Sequence, residues 1–316
     1  FSPRKNSTEK TLIRSTDKLS GVFPVFQTPF HEDECIDFET LEREVDWLFR
    51  RRANGIVMAM VSETLRLSSG ERDELAAKVC GMAQGLGPVV ISVGAESRHT
   101  AVRHAKHAQN SGAAAVMAIP PVSITVGPDE LRRYYISILE AVELPLIIQD
   151  ASGYVGQVMP LELQKTMLEE FGAARVLFKP EAAPIGPRLS ALRDATLGQA
   201  RIFEGSGGIS LVDSYRRGIV GTMPGAEIID AQVALWEALA KGDDAAIYRL
   251  SFPVSSLVAL QTGLDGFLAV EKYLLVKQGV FRNTIVRSPV GFQLDDETKS
   301  EVDRLFEILS EAVSQT

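Results

Sequence analysis

The sequence predicts an α/β fold of the (β/α)₈ TIM barrel type, followed by a C-terminal helical appendage. Eight short apolar runs alternate with helical stretches over roughly 200 residues, which is the pattern of a parallel sheet covered by helices. The runs are apolar throughout, as expected of strands that are buried on both faces. Eight units at this spacing favour a closed barrel over an open sheet. No Gly-x-Gly-x-x-Gly follows the first run, which argues against a dinucleotide-binding fold.

The predicted strands follow one another at intervals that leave room for a helix between each pair. They are residues 22–27, 55–60, 88–94, 113–119, 144–150, 175–180, 201–205 and 218–223. Capping signals mark the helices between them. Asp37 precedes a segment with apolar residues at helical spacing, Ser68 with Glu71 forms a capping box, and Pro128 suits a first helical turn.

After the eighth strand the alternation stops and consecutive helices are predicted. These helices cover residues 226–241, 244–262, 265–279 and 295–314. The expected organisation is a flexible N-terminal tail over 1–19, a barrel over 20–242 and a helical region over 243–316 that packs on the barrel.

Composition limits the partners of the protein. The chain of 316 residues is 45% hydrophobic and 23% charged, and its net charge is −8 without a long basic run, which argues against nucleic acid. No apolar run reaches the roughly 18 residues that a membrane-spanning helix needs. The two cysteines, Cys35 and Cys80, fit neither a disulfide nor a metal framework, so we expect free thiols and a cytoplasmic location.

The candidate catalytic residue is Lys179, which ends the sixth apolar run. Active sites of (β/α)₈ barrels lie at the C-terminal ends of the strands. Burial disfavours an ammonium ion, so a buried lysine releases its proton more readily, and the neutral amine can attack a ketone to form a Schiff base. Glu181 lies two residues further on and shares the same face. A structural ion pair is the alternative, but the position at a strand end favours catalysis.

Other polar residues at strand ends have two interpretations each. Glu63 follows the second strand and either acts in the pocket or caps the next loop. Glu204 ends the seventh strand and either faces the pocket or binds a backbone nest. Asp150 fits an Asx turn at Ser152–Gly153 better than a site. The expected substrate-binding residues are Val61, Ser62, Gln149, Asp150, Ser206, Gly221 and Thr222.

Three histidines invite a metal-site interpretation that we do not favour. His104 and His107, with His99 nearby, fall on the predicted outer helix of the third unit, away from the strand ends. A solvated helix face explains them better. We therefore expect no metal and no cofactor.

Five segments together resemble the dihydrodipicolinate synthase / N-acetylneuraminate lyase superfamily over roughly residues 20–310. They are GVFPVFQTPF at the first strand, SETLRLSSGER after the second, the Pro–Pro pair that ends the fourth, VLFKPEA at the sixth, and AVEKYLLVKQG in the C-terminal helices. The resemblance implies a (β/α)₈ barrel with C-terminal helices and a homotetrameric assembly. It also implies a Schiff base between Lys179 and pyruvate or another 2-oxo acid.

The chain departs from the family pattern where protons are usually relayed. The family's fifth-strand tyrosine is replaced by Gln149, and an amide is not a base at neutral pH. Two hydroxyl positions at the second strand are Met60 and Val61. The positions of a carboxylate-binding arginine and of a further tyrosine are taken by Tyr154 and Val122.

One subgroup of the superfamily shows a similar pattern. The segment IIQDASG resembles that of 2-keto-3-deoxy-sugar-acid dehydratases of the L-2-keto-3-deoxyarabonate type. The other matching segments are 62–63, 178–181, 203–205 and 221–223. This resemblance implies a lyase that dehydrates a 2-keto-3-deoxy sugar acid. The alternatives are a pyruvate-dependent aldolase of the N-acetylneuraminate lyase or dihydrodipicolinate synthase type, and a barrel that binds a keto acid without catalysis.

Roles within the predicted site follow from this interpretation. Dehydration needs at least one acid or base group, and the available carboxylates are Glu63, Glu181 and Glu204 in an order that the sequence leaves open. The carboxylate of the substrate is expected at the backbone N–H of Val61 and the hydroxyl of Ser62.

Overall fold

Eight parallel strands form the centre of the molecule in a computed structural model that describes residues 19–153 and 156–316. The strands are β1 (Gly21–Val22), β2 (Ile56–Met58), β3 (Val89–Ser92), β4 (Ala115–Ala118), β5 (Leu146–Gln149), β6 (Val176–Lys179), β7 (Phe203–Glu204) and β8 (Gly221–Thr222). Seven of them lie inside the predicted runs, and β1 begins one residue earlier.

The strands close into a barrel, which confirms the predicted fold. Strands β2 to β6 pair in chain order, while β1, β8 and β7 form the remaining arc. Parallel bridges join the two arcs, from Val25 to Val57 on one side and from Phe178 to Ile202 on the other. The C-terminal ends of all eight strands therefore meet at one face of the barrel.

Helices cover the barrel and continue beyond it. They are α1 (Phe38–Arg50), α2 (Ser69–Met82), α3 (Arg98–Asn110), α4 (Pro128–Ala141), α5 (Leu161–Phe171), α6 (Ile185–Ala195), α7 (Leu211–Arg216), α8 (Ile229–Lys241), α9 (Asp244–Ala259), α10 (Gly263–Lys277) and α11 (Asp296–Ser314). The predicted start signals are confirmed. Asp37 accepts a hydrogen bond from Thr40 N, Ser68 and Glu71 form the capping box, and Pro128 is the first residue of α4.

Large side chains fill the barrel interior. Phe23 and Phe203 pack edge to face there, with ring centroids 5.4 Å apart. Leu19 belongs to the same buried cluster and is 0% exposed, so its assignment to a flexible tail is wrong. Residues 1–18 of that predicted tail lie outside the described residues.

The last three helices share a core with α8. Val254, Leu257, Leu274 and Leu309 are buried together in this cluster. Helix α10 also contacts the short 3₁₀ helix Met60–Ser62 that follows β2. The C-terminal helices are thereby brought to the barrel face at which the strands end.

The histidines of α3 are packed differently from the sequence-based expectation. His104 is 4% exposed, and its Nδ1 lies 2.7 Å from Asp73 Oδ1 on the neighbouring helix α2. Burial and the nearby Arg72 lower the pKa of His104. The predicted solvated face is therefore wrong for this residue, which fixes α3 against α2.

Both cysteines are free, with Cys35 exposed and Cys80 buried. Among the described residues no single helix is long and apolar enough to cross a membrane. Helices α9 and α10 taken together have the length and composition of a membrane-spanning segment, but they are bent by 118° relative to each other.

Candidate active site

A narrow cleft opens at the face where the strands end. The polar side chains that line it are Gln149, Lys179, Glu181 and Glu271. Its apolar lining includes Val25, Val61, Met223, Leu264 and Phe267. This is the face on which barrel enzymes carry their active sites.

Lys179 is the last residue of β6, and its ammonium group sits inside the cleft wall. The residue is 4% exposed, and Nζ donates a hydrogen bond to Glu181 Oε1 at 2.6 Å. Gln149 is the register partner of Lys179 on β5. Its Nε2 donates to both carboxylate oxygens of Glu181 at 3.1 Å. The three residues form one hydrogen-bonded group, as their places at adjacent strand ends predict.

Gly205 leaves the room that this group needs. A Cβ atom at position 205 would lie 2.6 Å from Glu181 Oε1 and 2.7 Å from Lys179 Cε. Real Cβ atoms do not approach other atoms so closely. Only glycine therefore lets the backbone after β7 run beside the lysine–carboxylate pair.

Gln149 presents an acceptor to the cleft. Its Oε1 is buried and has no hydrogen-bond partner among the described residues. An unsatisfied buried acceptor is costly, and a ligand that donates a hydrogen bond removes the cost. Gln149 is thus suited to bind a hydroxyl group of a substrate.

Asp150 supports the site without lining the cleft. Its Oδ1 accepts hydrogen bonds from Glu181 N at 2.9 Å and from Ser152 N at 3.3 Å. Burial raises the pKa of Asp150, and these backbone hydrogen bonds act against that rise. The predicted Asx turn is confirmed, and the same carboxylate fixes the backbone of Glu181.

Glu204 sits between strand ends and binds local groups. It is 1% exposed, and its carboxylate accepts from Ser206 N at 2.5 Å and from Thr222 Oγ1 at 2.8 Å. Burial raises the pKa of Glu204, while these hydrogen bonds and the nearby charge of Lys179 oppose the rise.

Ser206 and Gly221, two other residues expected in the site, make structural contacts. Ser206 Oγ accepts a hydrogen bond from Ser210 N, and Gly221 leaves space for the Phe203 ring. Together with Glu204 and Thr222, these residues stabilise the strand ends.

Glu63 is placed apart from the cleft lining. It forms a buried ion pair with Lys272 of α10 and accepts a hydrogen bond from Arg287 N at 3.1 Å. Its φ of 56° turns the chain at the end of the 3₁₀ helix. The expectation that Glu63 supplies a carboxylate to the pocket is corrected, because that carboxylate is committed to the C-terminal region.

The hydroxyl of Ser62 also points away from the cleft. It donates to Phe26 O at 2.6 Å and accepts from Ala59 N at 3.1 Å. The first contact ties the 3₁₀ helix to the segment after β1 and the second closes the helix start, so the expected contribution of Ser62 Oγ to the pocket is corrected. Val61 of the same 3₁₀ helix does line the cleft.

Sequence reasoning missed the cleft residues that α10 supplies. Glu271, Leu264 and Phe267 come from this helix, more than eighty residues after Lys179 along the chain. One signal was present. Glu271 and Lys272 interrupt an otherwise apolar run, which is unusual for residues that face a core.

A closed (β/α)₈ barrel with a buried lysine–carboxylate pair at its strand ends has the architecture of a barrel enzyme and makes Lys179 the candidate nucleophile. Comparison with known families then identifies the chain. It belongs to the dihydrodipicolinate synthetase family, whose model matches residues 18–309. It is therefore a lyase of that family and acts on a small molecule.

Individual relatives agree with this assignment. The chain is 27% identical over 299 residues to an L-2-keto-3-deoxyarabonate dehydratase of Azospirillum brasilense, a match that covers 91% of this chain and 94% of the relative. It is 25% identical to a probable 2-dehydro-3-deoxy-D-pentonate aldolase of Escherichia coli over 90% of this chain and 95% of that protein.

The fold also matches a solved structure closely. A dihydrodipicolinate synthase from Rhodopseudomonas palustris superposes with a TM-score of 0.84 at 26% identity, over 92% of this chain and 98% of that one. The predicted barrel with its C-terminal helices is therefore confirmed by comparison as well as by the strand pairing.

Proposed function

We propose that the protein dehydrates a 2-keto-3-deoxy sugar acid through a Schiff base on Lys179. The observation that carries this proposal is the buried group of Lys179, Glu181 and Gln149. In that group an amide occupies the position at which the resembled family carries a tyrosine. The geometry supplies a nucleophile and a carboxylate base, and no tyrosine is among the described residues that line the cleft.

Schiff-base formation needs a neutral amine. The hydrogen bond of 2.6 Å between Lys179 Nζ and Glu181 Oε1 offers a path along which the lysine passes its proton to the carboxylate. The free amine then attacks the 2-oxo group of the substrate, and the carbinolamine takes the proton back from Glu181 as it loses water. The iminium that results is an electron sink, so the hydrogens on C3 become acidic.

Glu181 is the proposed base at C3. It lies in hydrogen-bonding reach of the lysine that carries the substrate, and Asp150 holds its backbone in place. Gln149 Oε1 accepts a hydrogen bond from a substrate hydroxyl. Glu204 holds the ends of β7 and β8 and adds negative charge near Lys179.

Backbone groups are proposed to bind the carboxylate of the substrate. The N–H of Val61 in the 3₁₀ helix is the candidate, because a backbone donor survives the loss of the family's hydroxyl side chains. Leu264 and Phe267 contribute to the apolar lining of the cleft.

An aldolase is the second candidate, favoured by the similarity to the probable pentonate aldolase of Escherichia coli. Cleavage of the C3–C4 bond requires a base that removes the proton of the C4 hydroxyl. Gln149 cannot serve as that base. Loss of the C4 hydroxyl group needs no such deprotonation, so the amide of Gln149 at the family's tyrosine position favours dehydration.

The test is product analysis with purified enzyme and a set of 2-keto-3-deoxy pentonates and hexonates. We expect a product lighter by one water and no pyruvate in an assay coupled to lactate dehydrogenase. Pyruvate release would establish the aldolase instead, and efficient turnover of aspartate semialdehyde with pyruvate would establish dihydrodipicolinate synthesis. Tight binding of keto acids without product would mean a binding protein.

A homotetramer and a cytoplasmic location complete the proposal. The similarity to the dihydrodipicolinate synthetase family supports the assembly. Analytical ultracentrifugation measures it directly, and a monomer at micromolar concentration would contradict it.

A further inference from the structure

A second group of carboxyl side chains lies near Gln27, which follows β1 and contacts α10. Gln27 N donates a hydrogen bond to Glu44 Oε1 at 2.9 Å, and Gln27 Nε2 donates to Glu271 Oε2. Glu227 follows β8 and accepts from Gln261 Nε2 at 3.0 Å. All three glutamates are at most 1% exposed, and Glu271 is the member that lines the cleft.

Gly225 shows how close these groups are. A Cβ atom at position 225 would lie 2.3 Å from Glu227 Oε2 and 2.5 Å from Glu271 Oε1. Glycine therefore lets two carboxyl groups approach the same point of the backbone. Glu227 Oε2 is buried without a hydrogen-bond partner among the described residues.

The positive charge near this group is already engaged. Lys272 of α10 is buried against Glu63 and donates to Ile285 O at 2.6 Å. Three buried carboxylates beside one committed lysine cannot all be ionised without a large electrostatic cost. At least one of them therefore keeps its proton near neutral pH.

Burial raises the pKa of each member of the group. The pKa of Glu44 rises to about 8 and that of Glu227 to about 7. The pKa of Glu271 is raised well above its usual value, by burial first and then by the charges of Glu227 and Glu44, with Lys272 opposing the rise. The carboxyl group that reaches the cleft is thus a hydrogen-bond donor and an acid.

We propose that Glu271 is the general acid that protonates the departing C4 hydroxyl group of the substrate. This assignment rests on the proposed dehydration. Two carboxyl groups in different environments line one cleft, with Glu181 beside the positive Lys179 and Glu271 among other carboxyl groups. Such a pair divides naturally into a base and an acid.

Dehydration then proceeds by removal of the C3 proton and elimination of the C4 hydroxyl group. Glu181 takes the C3 proton of the iminium, the C3–H electron pair forms the C2=C3 bond, and the C2=N pair moves to nitrogen. The nitrogen pair then restores C2=N, the C2=C3 pair becomes the C3=C4 bond, and the C4–O bond breaks with its pair on oxygen. That oxygen takes the proton of Glu271 and leaves as water. Glu181 releases the C3 proton to solvent, Glu271 regains a proton from solvent, and hydrolysis of the unsaturated iminium frees Lys179.

The variant that tests this role is Glu271→Gln, which keeps an oxygen acceptor for Gln27 Nε2 and removes the acid. We expect the rate of dehydration to fall by about 10²- to 10⁴-fold, the usual contribution of a positioned acid. Exchange of the methyl protons of pyruvate with deuterium needs only Lys179 and Glu181. This exchange, followed by NMR, should continue at the wild-type rate and reports a folded site.

A substrate analogue separates chemistry from structure. A 4-fluoro 2-keto acid expels fluoride, which needs little help from an acid, so the wild type and Glu271→Gln should process it at similar rates. Dehydration by Glu271→Gln at the wild-type rate, or an equal deficit with the fluoro analogue, would overturn the assignment. A wild type that neither exchanges pyruvate protons nor dehydrates any keto acid would instead disprove the proposed function itself.

The pH profile gives a further readout. Glu44 of α1, Glu227 after β8 and Lys272 of α10 are the charged groups around Glu271, and Lys179 and Glu181 face it across the cleft. The alkaline limb of the kcat profile should report the loss of the Glu271 proton. Glu227→Gln removes a repelling charge, so this limb should move to lower pH. An unchanged limb in Glu271→Gln would contradict the role.

Discussion

Two buried lysine–glutamate pairs among the described residues have different surroundings. Lys179 ends β6, Glu181 lies two residues further on, and both line a cleft. Lys272 and Glu63 join α10 to the loop after β2, both side chains being 0% exposed. Lys272 also donates to a backbone carbonyl and lies 4.7 Å from the centre of the Phe30 ring.

The comparison shows what separates a reactive pair from a structural one. A buried ion pair alone is weak evidence for either role, because its desolvation cost offsets much of the attraction. Lys179 lines a cleft, which is the position that we expect of a reactive lysine. Extra partners that satisfy the ammonium group distinguish Lys272, whose pair holds the C-terminal helices at the strand ends.

Replacement of Lys179 should have the largest effect on turnover. Lys179→Ala takes away the nucleophile, so turnover of every keto acid should fall below detection while the protein stays folded by circular dichroism. Lys272→Ala should still form the Schiff base in its folded fraction. Residual turnover in Lys179→Ala at a substantial fraction of the wild-type rate would remove Lys179 from the mechanism.

Replacement of Lys272 should lower the stability of the fold. Lys272→Met leaves the Glu63 carboxylate buried without its counter-charge, so the free energy of unfolding should fall by about 3–5 kcal/mol in urea titrations. The double variant Lys272→Met/Glu63→Gln removes the uncompensated charge and should recover most of that loss. A single variant that loses less than about 1 kcal/mol would show that the pair is not structural.

A methyl group at position 205 would fill the space beside Lys179 and Glu181. Gly205→Ala places a Cβ where Glu181 and Lys179 now lie, and displacement of catalytic atoms by about 1 Å lowers rates on the order of 10²-fold. Gly153→Ala is the matched control, because its Cβ would meet its nearest neighbour at 3.9 Å. Equal kcat/KM values for the two variants would contradict the tight packing around Lys179.

Stability should also depend on pH through the buried glutamates. The pKa of Glu44 is raised from 4.5 to about 8 by burial, so the folded state binds a proton that the unfolded state has released. Its stabilising contribution is complete below about pH 4.5 and is lost as the pH rises through 8. The stability difference between the wild type and Glu44→Gln should fall over this range by at most about 1.4 kcal/mol per pH unit. A constant difference would mean that Glu44 is ionised throughout.

Sequence patterns predicted the fold and the position of the buried lysine for clear physical reasons. Strands buried on both faces leave continuous apolar runs, and a lysine that ends one of them is conspicuous. The partner of Glu63 could not be predicted, because Lys272 lies 209 residues away and only packing brings them together. His104 was misassigned for a similar reason, since its partner Asp73 belongs to another helix.

The direction in which side chains point was the second feature that could not be predicted from the sequence. Ser62 and Glu63 follow a strand as site residues do, yet the 3₁₀ helix turns Ser62 towards β1 and Glu63 towards α10. Glu271 shows the converse, because it reaches the cleft from a helix that the sequence places outside the barrel. Local sequence propensity does not determine where these side chains point. Their directions depend on how α10 packs against the strand ends of the barrel.

The most direct test of the account is reductive trapping of the wild-type protein. The protein is incubated with pyruvate and borohydride, digested, and mapped by mass spectrometry. The account predicts a single reduced adduct on Lys179 and none on Lys272, although both lysines are buried. An unmodified Lys179 with pyruvate and with every 2-oxo acid tried, or an adduct on Lys272 instead, would contradict it.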